Sequence, residues 1–371
     1  SVQQRRPNVV LIMMESMSAK FMKHFGQSET LTPFLDSLYT RSISFRNFYS
    51  AGIHTNHGLY ATLYSFPAMM KRNLMKGSVI PRYSGLPTVL KENGYYNLFF
   101  MTHEGQYDNM NAFFRTNGYD EVFSQEDYPA DKVVNSFGVQ DDFLYDYAIP
   151  VLNQRAATGQ PFFATLLSIS NHPPYVIPPF FHPKTSEPEM QIVEYADWAL
   201  RQFFEEARKQ PWFDNTIFVL EGDHGKLVGD AECELPESYN HIPLMIYSSR
   251  IQPEEKTAFG GQVDIQPTIL GLLNIDYLQN NFGVDLLKEE RPCMFYTADN
   301  MVVGRNDTLL YLYNYETQQE LTYDIGNGKL NAVPMDDSFL PLKEYSFSML
   351  QSAEFLVKHG KTLNSIPFTQ Q

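Results

Sequence analysis

The chain has 371 residues, 43% hydrophobic and 14% aromatic, with 43 acidic against 28 basic side chains for a formal charge of −15. That composition excludes a disordered chain and leaves room for one large core, or a large core with a small appended unit. The acidic excess repels polyanions, which sets nucleic acid aside as a partner and disfavours an anionic lipid surface as the primary docking site, and two cysteines, Cys233 and Cys293, are too few for a disulfide scaffold.

The chain opens with Arg5-Arg6-Pro7 before the apolar run Asn8-Val9-Val10-Leu11-Ile12-Met13-Met14, which reads as a central strand buried on both faces and ends in Glu15-Ser16. Thr32-Pro33-Phe34-Leu35 predicts a helix with proline at its first position, running to about Tyr39. A strand near 43–48, a helix at about 57–66, a helix at 86–92 stopped by Gly94 and a strand over 95–101 come next. Further strands are expected at 162–168, 216–221 and 242–247, with helices at 139–155, 190–208 and 264–273. This alternation predicts an α/β/α sandwich on a large, mostly parallel sheet, filling residues 1–275.

After about residue 275 the texture changes to Asn, Gly and alternating β-formers, as in 308–313 and 319–324, which predicts a C-terminal subdomain over 276–371 with a small antiparallel sheet and a helix at about 338–359. No stretch approaches the ~18–20 apolar residues of a spanning helix, so the chain as given reads as soluble. Its basic opening before a strand also fits a catalytic domain cut from a longer, membrane-anchored protein.

In open α/β sheets ligands bind beyond the carboxyl ends of the strands, so polar residues directly after apolar runs are the candidates for chemistry. Glu15 follows the first run, and Asp223-His224 follows Ile217-Phe218-Val219-Leu220-Glu221-Gly222. Two carboxylates and an imidazole make a hard to borderline site for Mn²⁺, Mg²⁺ or Zn²⁺. Gly222 and Gly225 flank the pair and are expected to let the backbone turn sharply. A helix-capping carboxylate is the plain alternative for Glu15 alone.

Ser50-Ala51-Gly52-Ile53-His54-Thr55-Asn56-His57-Gly58-Leu59 is a strand-to-helix junction that would present N–H groups and positive dipole to an anion. Thr55 there is either an ordinary N-cap or a nucleophile activated by a divalent ion. His172, in Ser170-Asn171-His172-Pro173-Pro174-Tyr175, sits on a proline-rich rim after another buried strand, where an imidazole can donate to a phosphate oxygen or protonate a leaving alkoxide. His241, before the strand at 242–247, and His103, Asp108, Asn109 and Arg115, after the strand at 95–101, are weaker candidates for ligand contact.

Five strings in this order resemble the alkaline phosphatase and sulfatase superfamily, and within it the lipoteichoic acid synthase type of phosphoglycerol transferase. They are Pro7 to Ser16, Gly52-Ile53-His54-Thr55 with Gly58 to Leu63, Asn171 to Tyr175, Glu221-Gly222-Asp223-His224-Gly225, and Val263-Asp264-Ile265-Gln266-Pro267-Thr268. The resemblance implies one divalent ion, commonly Mn²⁺, held by Glu15, Thr55, Asp223 and His224. Thr55 is then the nucleophile and His172 the substrate histidine. It also implies a phosphodiester donor such as a phospholipid head group, a glycan or glycolipid acceptor, a phospho-threonine intermediate, and a place outside the cytoplasm.

The stretch Gln106-Tyr107-Asp108-Asn109-Met110-Asn111 departs from the synthases' glycerol-phosphate contacts, so the chemistry carries over better than the substrate. A sulfatase that oxidises Cys or Ser to formylglycine needs it within Cys/Ser-x-Pro-x-Arg, and neither cysteine here stands in that pattern. Hydrolytic phosphodiesterase and phosphoethanolamine transferase remain as neighbouring readings, and a non-catalytic binding domain as the one from another class.

Overall fold

The computed structural model describes residues 6–364, so Arg5 lies outside the described residues. Ten strands build the first part of the chain: β1 Asn8–Met14, β2 Ile43–Tyr49, β3 Tyr96–Phe100, β4 Glu121–Phe123, β5 Val133–Asn135, β6 Gly138–Val139, β7 Phe162–Leu167, β8 Thr216–Gly222, β9 Leu244–Tyr247 and β10 Glu254–Gly261. Among them run helices α1 Pro33–Thr40, α2 Thr55–Tyr64, α3 Leu86–Glu92, α4 Met110–Thr116, α5 Asp141–Ala157, α6 Pro188–Ala207 and α7 Ile265–Leu272. Strands β11 Met294–Thr297, β12 Met301–Arg305, β13 Leu309–Asn314, β14 Gln319–Gly326 and β15 Lys329–Ala332 come after them, then helix α8 Leu340–Lys358.

Eight strands form the large sheet in the order β10-β2-β9-β8-β1-β7-β3-β4. Its neighbours pair parallel except β9, which runs antiparallel to both β8 and β2. β1 lies at the centre because all seven of its side chains are buried. Val9, Leu11 and Met13 enter the core covered by α2, α3, α4 and α7, while Val10, Ile12 and Met14 enter the core covered by α1, α5 and α6. A strand apolar on both faces needs helices on both faces, and the α/β/α architecture results.

The C-terminal strands form a separate five-stranded sheet in sequential order, antiparallel throughout. Helix α8 packs on it through Leu342, Ser346 and Leu350. Two arginines fasten this unit to the body. Arg291 makes a bidentate, buried pair with Asp264, its Nη2 2.6 Å from Oδ1, and Arg305 reaches Glu237 at 2.8 Å. Cys233 and Cys293 are unpaired, the first half-buried and the second buried. No helix of the described residues is long and apolar enough to cross a membrane.

Candidate metal and nucleophile site

β1 and β8 are adjacent and parallel, in a register that sets Met14 opposite Gly222. The next residues along each strand, Glu15 and Asp223, therefore leave the sheet side by side. The Ser16 N–H donates to Asp223 Oδ1 at 2.8 Å and locks the two strand ends together. Both side chains are buried, 2% exposed for Glu15 and 0% for Asp223.

Helix α2 brings the third group. Thr55 is its first residue, and its hydroxyl lies 3.1 Å from Glu15 Oε2 and 2.8 Å from Asp223 Oδ2. His54, at the N-cap, makes no side-chain capping bond, so the positive end of the helix stays open toward the cluster. The helix comes this close because residue 58 is glycine: a Cβ there would stand 2.3 Å from the Asp223 carbonyl oxygen.

The fourth group is His224. Its Nδ1 lies 2.6 Å from the Gly225 carbonyl, which takes the Nδ1 proton and turns the Nε2 lone pair inward. Nε2 then sits 3.7 Å from Glu15 Oε1 and 3.6 Å from Asp223 Oδ2. One ligand atom from each of Glu15, Asp223 and His224 falls within 4.8 Å of the others, an arrangement that can hold a metal ion. Burial first, then the facing Asp223 carboxylate, pushes the Glu15 carboxyl well above its ordinary range. Two dehydrated carboxylates with no cationic side chain between them are costly, and a divalent cation removes that cost. Two carboxylates, a hydroxyl and an imidazole are the donors such an ion takes.

The expected role of the flanking glycines changes in detail. Neither Gly222 nor Gly225 has a positive φ. Each is needed for close approach instead, since a Cβ would meet the Met17 carbonyl oxygen at 2.4 Å or the Ser238 carbonyl oxygen at 2.0 Å.

His172 stands on the loop after β7, its ring packed on Phe137 at 4.1 Å and its Nδ1 2.7 Å from the Pro173 carbonyl, which leaves Nε2 without a partner among the described residues. The weaker candidates are held by other bonds. His103 is buried, with Nδ1 3.0 Å from the Glu104 carbonyl and its ring against Tyr107 at 4.6 Å. Asp108 pairs with Lys76 at 3.2 Å, and Asn109 donates to the Met75 carbonyl at 3.1 Å. Arg115 donates to Asn111 at 2.6 Å and to the Val122 carbonyl at 3.2 Å. His241 stacks on Tyr49 and lies 2.7 Å from the Arg46 carbonyl. The structure does not bring these five into the cluster of Glu15, Thr55, Asp223 and His224.

Three residues that the sequence reading passed over buttress the site. Gln262 donates from Nε2 to the Asp223 carbonyl at 2.8 Å and accepts from Ala51 N–H at 2.9 Å, joining the loop after β8 to the loop before α2. Asp299, from the C-terminal sheet, lies 2.6 Å from His54 Nε2, next to Thr55 in the chain. Lys226, two residues past His224, donates to Asn171 and Tyr175, and burial pulls its ammonium down to about 8 while Glu15 and Glu189 hold it up. Only Lys226 carried a local signal, as a cation directly after Asp-His-Gly at a strand end.

Fold and site together define an alkaline-phosphatase-type α/β protein in which two buried carboxylates, an imidazole and a hydroxyl converge at the carboxyl ends of a parallel sheet. The sulfatase family model matches residues 7–275, and the chain belongs to that family. It is 24% identical over 315 residues to lipoteichoic acid synthase 2 of Bacillus subtilis, covering 76% of this chain and 47% of that protein. With lipoteichoic acid synthase 1 of the same organism it shares 25% over 350 residues, covering 87% and 53%. The chain thus spans about half the length of these curated relatives. Among solved structures, an alkaline phosphatase superfamily protein from Vibrio parahaemolyticus superposes with a TM-score of 0.87 at 28% identity, covering 97% of this chain and 89% of that one. The lipoteichoic acid synthase LtaP from Listeria monocytogenes superposes with a TM-score of 0.81 at 21% identity, covering 95% and 93%.

Proposed function

We propose that this chain is a metal-dependent phosphotransferase that cleaves a phosphodiester of the phosphoglycerol type through a phosphorylated Thr55. The observation that carries the reading is the Thr55 hydroxyl, within hydrogen-bond reach of two buried carboxylates and beside the inward Nε2 of His224. Glu15, Thr55, Asp223 and His224 would hold the divalent ion, Mn²⁺ ahead of Mg²⁺ or Zn²⁺. Bound there it lowers the pKa of the hydroxyl and offsets charge on the phosphoryl oxygens. Thr55 Oγ forms the new bond to phosphorus as the bond to the leaving alkoxide breaks. His172 in its protonated form, with Nδ1–H held by the Pro173 carbonyl, would donate from Nε2 to that alkoxide, and the proton released by the Thr55 hydroxyl would pass to solvent. The open N-terminus of α2 faces the oxygens that gain charge.

The relatives named lipoteichoic acid synthase support a phospholipid head group as donor, a glycan or glycolipid as acceptor, and a place outside the cytoplasm beside the membrane. An anchoring segment would then lie outside the given chain. A hydrolytic phosphodiesterase shares the first half of the reaction and differs only in taking water as acceptor. Threonine at the nucleophile position, with neither cysteine near it, favours phosphoryl over sulfuryl transfer. The test is intact-mass analysis of wild type and Thr55→Ala after incubation with phosphatidylglycerol and Mn²⁺. A single phosphoglycerol adduct on wild type alone is expected. Protein that binds the ion yet stays unmodified would remove the donor assignment, and protein that binds no ion would remove the catalytic one.

A further inference from the structure

One ammonium group joins three strand ends at this site and has no part in the steps above. Lys226 Nζ donates to Asn171 Oδ1 at 2.7 Å and to the Tyr175 hydroxyl at 3.0 Å. Asn171 donates in turn from Nδ2 to the Ser16 carbonyl at 3.2 Å, next to Glu15, and it immediately precedes His172. The amine is thus braced among the turn after β1, the loop after β7 and the loop after β8. The Tyr175 ring lies 4.8 Å from Nζ and the Phe21 ring 5.5 Å.

Both hydrogen-bond partners are neutral, and Nζ forms no ion pair with a carboxylate among the described residues. An ammonium has three N–H donors, so one remains uncommitted. The two direct partners of this partly buried ammonium are neutral, which leaves its remaining donor available to an anion arriving from solution. The charge balance of the site calls for such a group. Glu15 and Asp223 cancel a divalent ion, an ionised Thr55 adds one negative charge, and a phosphodiester adds another. The rest of the chain, at −15, supplies no compensating field.

We propose that Lys226 is a substrate-binding residue whose free N–H holds a non-bridging oxygen of the phosphodiester, while its grip on Asn171 sets the place of His172. This rests on the phosphodiester reading above. The amine's remaining N–H fits a phosphodiester monoanion, which offers two non-bridging oxygens as acceptors.

The test compares metal-loaded wild type with Lys226→Met, Lys226→Gln and Lys226→Arg. Turnover of bis(4-nitrophenyl) phosphate gives KM and kcat, and calorimetric titration with glycerol phosphate gives a Kd that needs no turnover. Melting temperature and metal content identify any variant that fails to fold. In Lys226→Met and Lys226→Gln, KM and Kd are expected to rise tenfold or more, with a smaller change in kcat, and Lys226→Arg to recover most of the binding. An unchanged Kd in both neutral variants overturns the proposal. So does a fall in kcat with KM and Kd intact, which would make Lys226 a loop brace only. Wild type that holds its metal but neither turns over the diester nor binds glycerol phosphate sinks the phosphodiester reading, and this inference with it. Wild type that binds glycerol phosphate no more tightly than the neutral variants sinks this inference alone.

Discussion

Two regions of the molecule treat their carboxylates oppositely. At the junction of the body with the C-terminal sheet, Asp264 is met by Arg291 and Glu237 by Arg305. There desolvation raises the partly buried Glu237, but His241 and Arg305 hold it below its ordinary range. At the ends of β1 and β8, Glu15 and Asp223 face each other with no cationic side chain between them, and Glu15 is driven well above its range. Compensation from within the protein fits a structural contact; its lack is what the proposed cation site requires.

The largest expected effect comes from breaking the uncompensated pair. Glu15→Gln should lower metal affinity by at least a hundredfold, read by metal analysis after dialysis, and abolish Thr55 modification. The metal-free variant should nevertheless melt no lower than metal-free wild type, because one of two repelling carboxylates is gone. A lower melting temperature would show that the pair is balanced in a way the geometry does not reveal.

The compensated pair should respond the other way. Arg291→Met strands a buried Asp264 and is expected to cost about 3–5 kcal/mol of stability, measured by denaturant unfolding. A loss below about 1 kcal/mol would mean that the junction contributes little to holding the two sheets together.

Asp197 shows a third arrangement, in which backbone dipoles replace a cation. Its carboxylate accepts from the N–H groups of Phe34 at 3.0 Å and Leu35 at 2.9 Å, at the start of α1. Burial outweighs those bonds and raises its pKa from 3.8 to about 7. A raised acid contributes stability that is fully present below its unfolded value and lost as pH rises through the folded one. Stability should therefore fall between about pH 4 and pH 7 through this group, and Asp197→Asn should flatten that part of the melting profile.

The smallest effect is expected at Glu221, which is fully buried on the face of β8 that packs against α2. Its carboxyl is pushed well above its range by burial and is met by the Thr62 hydroxyl at 2.5 Å. Burial favours the neutral carboxyl, which an amide replaces at little cost, so Glu221→Gln should shift stability by less than about 1 kcal/mol and leave metal content unchanged. Loss of metal in this variant would extend the uncompensated cluster to a third carboxylate.

Most of the body was legible because its strands are apolar on both faces and its helices have clear ends. β1 spans Asn8–Met14 and α3 spans Leu86–Glu92, as the apolar run and the Gly94 stop predict. α2 begins at Thr55 rather than near 57, which moves the hydroxyl from the approach of the helix to its first residue. β10 went unread because its first half, Glu254-Glu255-Lys256, is charged; it is an edge strand, and pairing with β2 alone puts those side chains in water.

The sequence by itself determined the α/β class, the antiparallel C-terminal unit and the polar residues that terminate β1 and β8, since these depend on local periodicity and on the residues that end an apolar run. The resemblance grouped Glu15, Thr55, Asp223 and His224, and only the tertiary structure decided the geometry in which they meet. It also decided that Gln262 and Asp299 buttress them, that Lys226 stands beside them with no carboxylate partner among the described residues, and that His241 lies against the Arg46 carbonyl and Arg115 against Asn111 and the Val122 carbonyl. Those outcomes depend on strand order and on the approach that Gly58 permits to α2. Residues 207 positions apart, such as Ser16 and Asp223, become neighbours through sheet register, and no local pattern in the chain records that.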